Sequence, residues 1–269
     1  MQFPKQVNHF RKRKWTALLL LSFVLTTSFI LFKKEKPTFY IIGDSTVRNG
    51  DGTGKNGQWG WGNFIADYFD TTKISVQNHA IGGRSSRTFI TEGRWDKVLA
   101  TLKKGDYVIM QFGHNDSGPL DDTARARGTI RGVGNESKEI YNPIMKKPEV
   151  VYTYGYYMRK YIRDVKSKGA IAIVCSPIPR NDWKNGKVSR SKDSYAGWAA
   201  QVAKEEGAFF IDLNDLVASK YEQMGVESVK PFFPGDHTHT DLAGAKLNAG
   251  IIMEQLKKIN PSGLKKYMK

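Results

Sequence analysis

Gly169-Ala170-Ile171-Ala172-Ile173-Val174-Cys175 is the stretch that decides the fold. It is an apolar run without alternation, entered through a glycine that closes a helical pattern at Lys168. A strand with one wet face alternates apolar and polar side chains. A strand apolar throughout is covered on both faces, the situation of a parallel sheet sandwiched by helices. Gly105-Asp106 and Glu206-Gly207 punctuate the chain in the same manner, as glycines do just past helix ends.

Working outward, β-prone runs stand at 38–42, 74–80, 107–112, 170–175 and 208–211. Between and after them, helical spacing of apolar residues predicts helices at 59–69, 95–102, 150–166, 195–204, 215–224 and 242–259. The alternation predicts an α/β fold, a three-layer α/β/α sandwich around a central parallel sheet of about five strands. In such sheets ligands sit outside the carboxyl ends of the strands, so the loops that follow the strands are where chemistry is expected. Residues 117–148 form a long polar insertion with Arg125, Arg127 and Arg131. Its length reads as a binding loop or lid, or else a surface excursion.

Composition narrows the class. The 269 residues are 40% hydrophobic and 12% aromatic, with Cys175 the one cysteine, which excludes a disordered chain and a disulfide scaffold. The net charge is +16, but residues 1–36 hold eight basic side chains against one acid and so carry +7 of it. The remaining lysines are scattered in pairs, with no zinc-finger or RNP pattern, which reads as a solvated surface rather than a nucleic-acid face. Arg11-Lys12-Arg13-Lys14-Trp15 precedes the uncharged run 16–32, and Lys33-Lys34-Glu35-Lys36 closes it. That order predicts an export signal or membrane anchor over 1–36, with the globular domain, 37–269, outside the cytoplasm.

Four short blocks stand at expected strand ends or beside the last helix: Gly43-Asp44-Ser45, Gly82-Gly83-Arg84, Gly113-His114-Asn115-Asp116 and Asp236-His237-Thr238-His239. Singly, each is ordinary turn or cap chemistry. Together they supply an acyl-transfer site. A serine hydroxyl needs a base to become a nucleophile, and the imidazole needs a partner on its other nitrogen. Asp236 and His239, three apart, can meet within one turn. Glycine-turn N–H groups and an asparagine amide are the donors an oxyanion requires.

Gly43-Asp44-Ser45, Gly83, Gly113-x-Asn115-Asp116 and Asp236-x-x-His239 resemble, in order and content, the four blocks of the SGNH (GDSL-like) hydrolases. Asp44-Ser45-Thr46-Val47, Gly82 to Arg87, Phe112 to Asp116 and Asp236 to Thr240 are similar to the rhamnogalacturonan acetylesterase branch. The resemblance implies a flavodoxin-like sandwich that removes acetyl groups from galacturonic acid residues of pectic rhamnogalacturonan, without metal or cofactor. It implies Ser45 as nucleophile, His239 as general base and acid, and Asp236 as its orienting carboxylate. The Ser45 N–H, the Gly83 N–H and the Asn115 side chain are then the oxyanion donors. Arg84 and Arg87, close to Gly83, are candidates for gripping the carboxylates of an anionic substrate.

Other readings of the same residues stand beside these. Asp236, His237 and His239 could ligate a metal, at the cost of the best base. Trp59, Trp61 and Trp183 could stack on sugars or pack in the core. His79 and His114 read as structural, with His114 also near enough to approach the site. The run 50–56 imitates a phosphate loop, but Asn56 stands where Ser or Thr is needed. A lipase, a thioesterase, an acetylesterase for xylan or peptidoglycan, or a non-catalytic carbohydrate binder on this scaffold are the rival functions.

Overall fold

Ile171–Cys175 pairs on both edges with parallel neighbours and is buried except at its first residue. The computed structural model describes residues 1–3, 35–54 and 56–269. The expected export segment at 16–32 lies outside the described residues. Among those described, no helix is long and apolar enough to cross a membrane. In chain order the strands are β1 (Thr38–Gly43), β2 (Ser75–Asn78), β3 (Tyr107–Gln111), the hairpin β4 (Ser137–Asn142) and β5 (Lys147–Tyr152), β6 (Ile171–Cys175), the small ribbon β7 (Trp183–Lys184) and β8 (Lys187–Val188), and β9 (Phe209–Ile211). The main helices are α1 (Ser86–Thr91), α2 (Arg94–Thr101), α3 (Tyr154–Ser167), α4 (Tyr195–Glu205), α5 (Leu213–Met224) and α6 (Leu242–Ile259).

Five parallel strands form the central sheet in the order β2-β1-β3-β6-β9. Successive side chains of a strand point to opposite faces, and the two cores sort accordingly. Phe39, Ile41, Ile109 and Ile173 pack with Val217 of α5 and Ile252 of α6. Tyr40, Ile42, Val108 and Val174 pack with Trp95, Tyr161 and Val202 of α2, α3 and α4. Each such burial contributes about 1.5–3 kcal/mol. The three-layer α/β/α sandwich is therefore the observed fold.

Three local expectations change. Residues 59–69 form two short 3-10 turns, Trp61–Asn63 and Ile65–Tyr68, instead of an α-helix. The Trp61 and Gly62 amides donate to the carbonyls of Thr46 and Val47, so tertiary bonds take the place of helical ones. The helix expected at 150–166 begins only after Thr153, whose hydroxyl accepts from the Tyr156 amide at 3.0 Å, and Val150–Tyr152 belongs to β5. The insertion 117–148 is irregular up to Glu136 and then forms the β4–β5 hairpin, in register Ser137↔Tyr152.

Candidate active site

The first block sits where β1 ends. Gly43 is needed there because a Cβ would lie 2.6 Å from the Gln111 carbonyl and 2.5 Å from Val47. The Val47 and Arg48 amides then donate to the Asp44 carbonyl, closing a turn that presents Ser45. Beneath it runs a buried polar chain. Trp61 Nε1 donates to Gln111 Oε1 at 3.0 Å, Gln111 Nε2 to Thr46 Oγ1 at 2.6 Å, and Thr46 Oγ1 to Asp44 Oδ1 at 2.7 Å. Gln111 was not distinguished by sequence reasoning, and of the two readings open for Trp61 the structure selects packing: fully buried, it is a core residue rather than a sugar platform.

The second and third blocks come from β2 and β3, the neighbours of β1. Gly83 adopts φ +79°, a left-handed conformation that disfavours other residues, and its carbonyl accepts from Arg127 Nη1 at 3.1 Å. Ser85 and Thr88 form a capping box that starts α1. Asp116, fully buried, accepts from the Ser86 amide and hydroxyl and so ties the third block to the second. Burial pushes the Asp116 carboxyl up to about 7 against the pull of those bonds. Asn115 Nδ2 donates to the Arg84 carbonyl at 3.0 Å, which orients the amide and leaves its second N–H for another acceptor.

The fourth block closes the site. His239 Nε2 lies 2.7 Å from Ser45 Oγ, and His239 Nδ1 lies 2.7 Å from Asp236 Oδ2. Asp236 Oδ1 also accepts from the Thr238 and His239 amides, at 2.6 and 2.8 Å. Partial burial raises the Asp236 carboxyl, but the His239 ring and those amides prevail and hold it at about 2. The loop is pinned by Trp59 N–H to the Thr240 carbonyl (2.7 Å) and Asn181 N–H to the His237 carbonyl (2.7 Å). A hydroxyl, an imidazole and an ionised carboxylate in line can draw the proton off the hydroxyl and hold the imidazolium that forms. With both ring nitrogens of His239 so engaged, the metal reading of this cluster loses its central ligand. No group of three or more metal-ligating side chains is found among the described residues.

Ser45, Gly83, Asn115 and His239 line one cavity of about 540 Å³, together with Arg84, His114, Arg125, Arg127 and Arg180. Arg84 thus reaches the site, although its Nε is held by Glu92 at 3.0 Å. Arg87 does not. Its side chain is fully buried and its guanidinium is committed to Glu149 and to the carbonyls of Leu120 and Gly128. The expectation that it binds substrate is corrected: it faces the wrong side of the first turn of α1. Arg180 was missed, since it follows β6 in a loop with no motif. Trp183 donates to Asn181 Oδ1 and supports that loop. His79 contacts Gln77 instead. A larger cavity of about 670 Å³ lies between α3 and α4, but its charges are already paired, Arg159 with Glu205 and Arg163 with Glu206.

Residues 41–247 match the model of the GDSL-like Lipase/Acylhydrolase family. The chain is 33% identical over 234 residues to the rhamnogalacturonan acetylesterase of Emericella nidulans, covering 87% of this chain and 90% of that protein. It is 31% identical over 226 residues to Bacillus subtilis YesY, named a probable rhamnogalacturonan acetylesterase, covering 82% and 92%. The solved structure of Bacillus subtilis YxiM superposes with a TM-score of 0.67 at 28% identity, covering 84% of this chain and 57% of that one.

Proposed function

We infer the reaction of this pocket from a settled premise: the chain belongs to the GDSL-like lipase/acylhydrolase family and is a carboxylic ester hydrolase. We propose that it removes acetyl groups from an acidic glycan of the rhamnogalacturonan type by a serine acyl-enzyme mechanism. The observation that carries this reading is the unbroken line Ser45 Oγ, His239, Asp236, with 2.7 Å at each contact.

In this mechanism Ser45 Oγ attacks the acetyl carbonyl while His239 Nε2 takes its proton. The Ser45 and Gly83 amides and the free N–H of Asn115 meet the oxyanion. Donors aimed at a developing charge lower the barrier because they need no reorganisation when it appears. His239 returns the proton to the departing sugar hydroxyl, leaving acetyl-Ser45. Water then attacks the acetyl-enzyme with His239 again as base, and acetate leaves as Ser45 regains its proton.

The acidic glycan is supported by the names of the two relatives and by the wall of arginines around Ser45, since guanidinium grips carboxylate with two bonds. The basic-apolar-basic order of residues 11–36 supports action outside the cytoplasm. The test is acetate release from acetylated rhamnogalacturonan, acetylxylan and a long-chain ester. Preference for the first, lost in Ser45→Ala, is the expected result. Equal or better turnover of xylan or lipid esters overturns the substrate, and an active Ser45→Ala overturns the mechanism.

A further inference from the structure

We propose that the catalytic cavity is the middle of a basic groove that holds its polysaccharide by two carboxylates, one on each side of the ester. This rests on the acidic-glycan reading above.

Three cavities adjoin. Gly83, Arg84, Arg125 and Arg127 line both the cavity at Ser45 and a neighbour of about 360 Å³ whose wall includes Ile144, at the tip of the β4–β5 hairpin. Two other residues, His114 and Arg180, line both it and one of about 240 Å³ walled by Pro177, Ile178, Pro179 and Tyr195. Each flank therefore carries its own arginines; no carboxylate lines the catalytic cavity itself, while Glu92 lines the larger neighbour beside Arg84 and Asp182 the smaller.

Arg84 is committed to Glu92 and to the Gly82 carbonyl, but among the described residues the other arginines shared between cavities, Arg125, Arg127 and Arg180, hold no carboxylate. Arg190, at the edge of the smaller cavity, is consumed by Asp215 and Glu222, with Nε 2.6 Å from Asp215. Among the described residues, the guanidinium groups of Arg125 and Arg180 have no hydrogen bond or ion pair. Arg127 has one side-chain bond, to a neutral carbonyl. Burial and then the nearby Arg125 charge lower its pKa against the pull of Asp122, Asp116 and Asp44, and the Arg125 influence reflects two cations held close at the mouth. Like charges at a partly dry cavity raise its potential until an anion arrives. The Arg125–Arg127 pair offers that anion a seat on one side and Arg180 on the other. The apolar wall of Pro177, Pro179 and Tyr195 suits the carbon face of a sugar ring between them.

The test compares kcat/KM on acetylated uronate-containing oligosaccharides of graded length with the same molecules after methyl esterification of their carboxylates. The readout is the charged-to-esterified ratio in the wild type, Arg125→Ala, Arg180→Ala and the double variant, with folding checked by circular dichroism. The wild-type ratio should exceed about a hundredfold for chains long enough to reach both sides. Each single variant should lower it by about tenfold, and the double variant by the product of the two. A double variant no worse than one single, or a ratio that neither substitution moves, overturns the two-sided clamp. Failure of the wild type to release acetate from any of these oligosaccharides while it deacetylates xylan would instead overturn the glycan assignment.

Discussion

Arg87 and Glu149 meet through two parallel hydrogen bonds, Nε to Oε1 and Nη2 to Oε2, both 2.7 Å long, with the arginine side chain fully buried. The remaining amino group, Nη1, donates to the carbonyls of Leu120 and Gly128, at 2.9 and 2.8 Å. One guanidinium thus joins α1, β5 and both ends of the loop that carries Arg125 and Arg127 to the site.

Replacing Arg87 with alanine leaves Glu149 without its main partner in a largely buried place. Breaking such a pair costs about 3–5 kcal/mol, which a shift of the urea unfolding midpoint should show. Because the loop bearing Arg125 and Arg127 loses its anchor, KM for the proposed acidic glycan should rise more than kcat falls. An unchanged midpoint would mean that the pair contributes nothing.

Ser45→Ala and His239→Ala should each reduce acetate release by about 10⁴-fold or more, and combining them should add little, since the two groups act as one unit. Labelling by a serine-directed phosphonate should follow the same order and vanish in Ser45→Ala. Multiplicative losses in the double variant would show that the residues act separately.

Asp236→Asn keeps an oxygen for the Thr238 and His239 amides but turns a donor toward the His239 ring, which favours the wrong tautomer. The expected loss in kcat is roughly 10⁴-fold with the fold intact. The wild-type carboxylate, held at about 2, contributes stability above pH about 4 that is lost as the pH falls toward 2. The difference in Tm between wild type and variant should therefore shrink across that window, and a constant difference would contradict it.

In the proposed mechanism Asn115 gives one oxyanion donor, so Asn115→Ala should lower kcat by about 10²–10³-fold with KM changed far less. Steady-state kinetics on a soluble acetyl ester would measure both. A loss confined to KM would assign Asn115 to binding instead.

Asp116 has the opposite sign of linkage to Asp236. Its folded value of about 7 exceeds the ordinary 3.8, so between pH 4 and 7 the unfolded chain gives up the proton while the folded one keeps it. Stability falls across that interval and levels off above it. Tm measured against pH should decline less steeply over this range in Asp116→Asn than in the wild type. Parallel curves would show that the buried group is already ionised.

Much of this site can be read without coordinates because its determinants are local. β-prone runs mark all five strands of the sheet, and glycine stops at Gly105, Gly169 and Gly207 announce three of them. The Asp236 and His239 side chains stand three residues apart in one loop, so their contact needs only a turn. The Ser, Gly and Asn blocks follow from residue type together with the rule that parallel sheets gather chemistry at one end.

What packing alone decided is of another kind. Ser45 meets His239 across 194 positions, a closure that depends on the Trp59–Thr240 bridge and on glycines that let backbones approach. Nothing local separates Arg84, which reaches the pocket, from Arg87, three residues on and locked inside. Arg180 and Gln111 carry no motif. Strand and turn preferences act over a few neighbouring residues, whereas the direction of a long side chain, and the partner that neutralises it, is set by whichever distant segment folds against it.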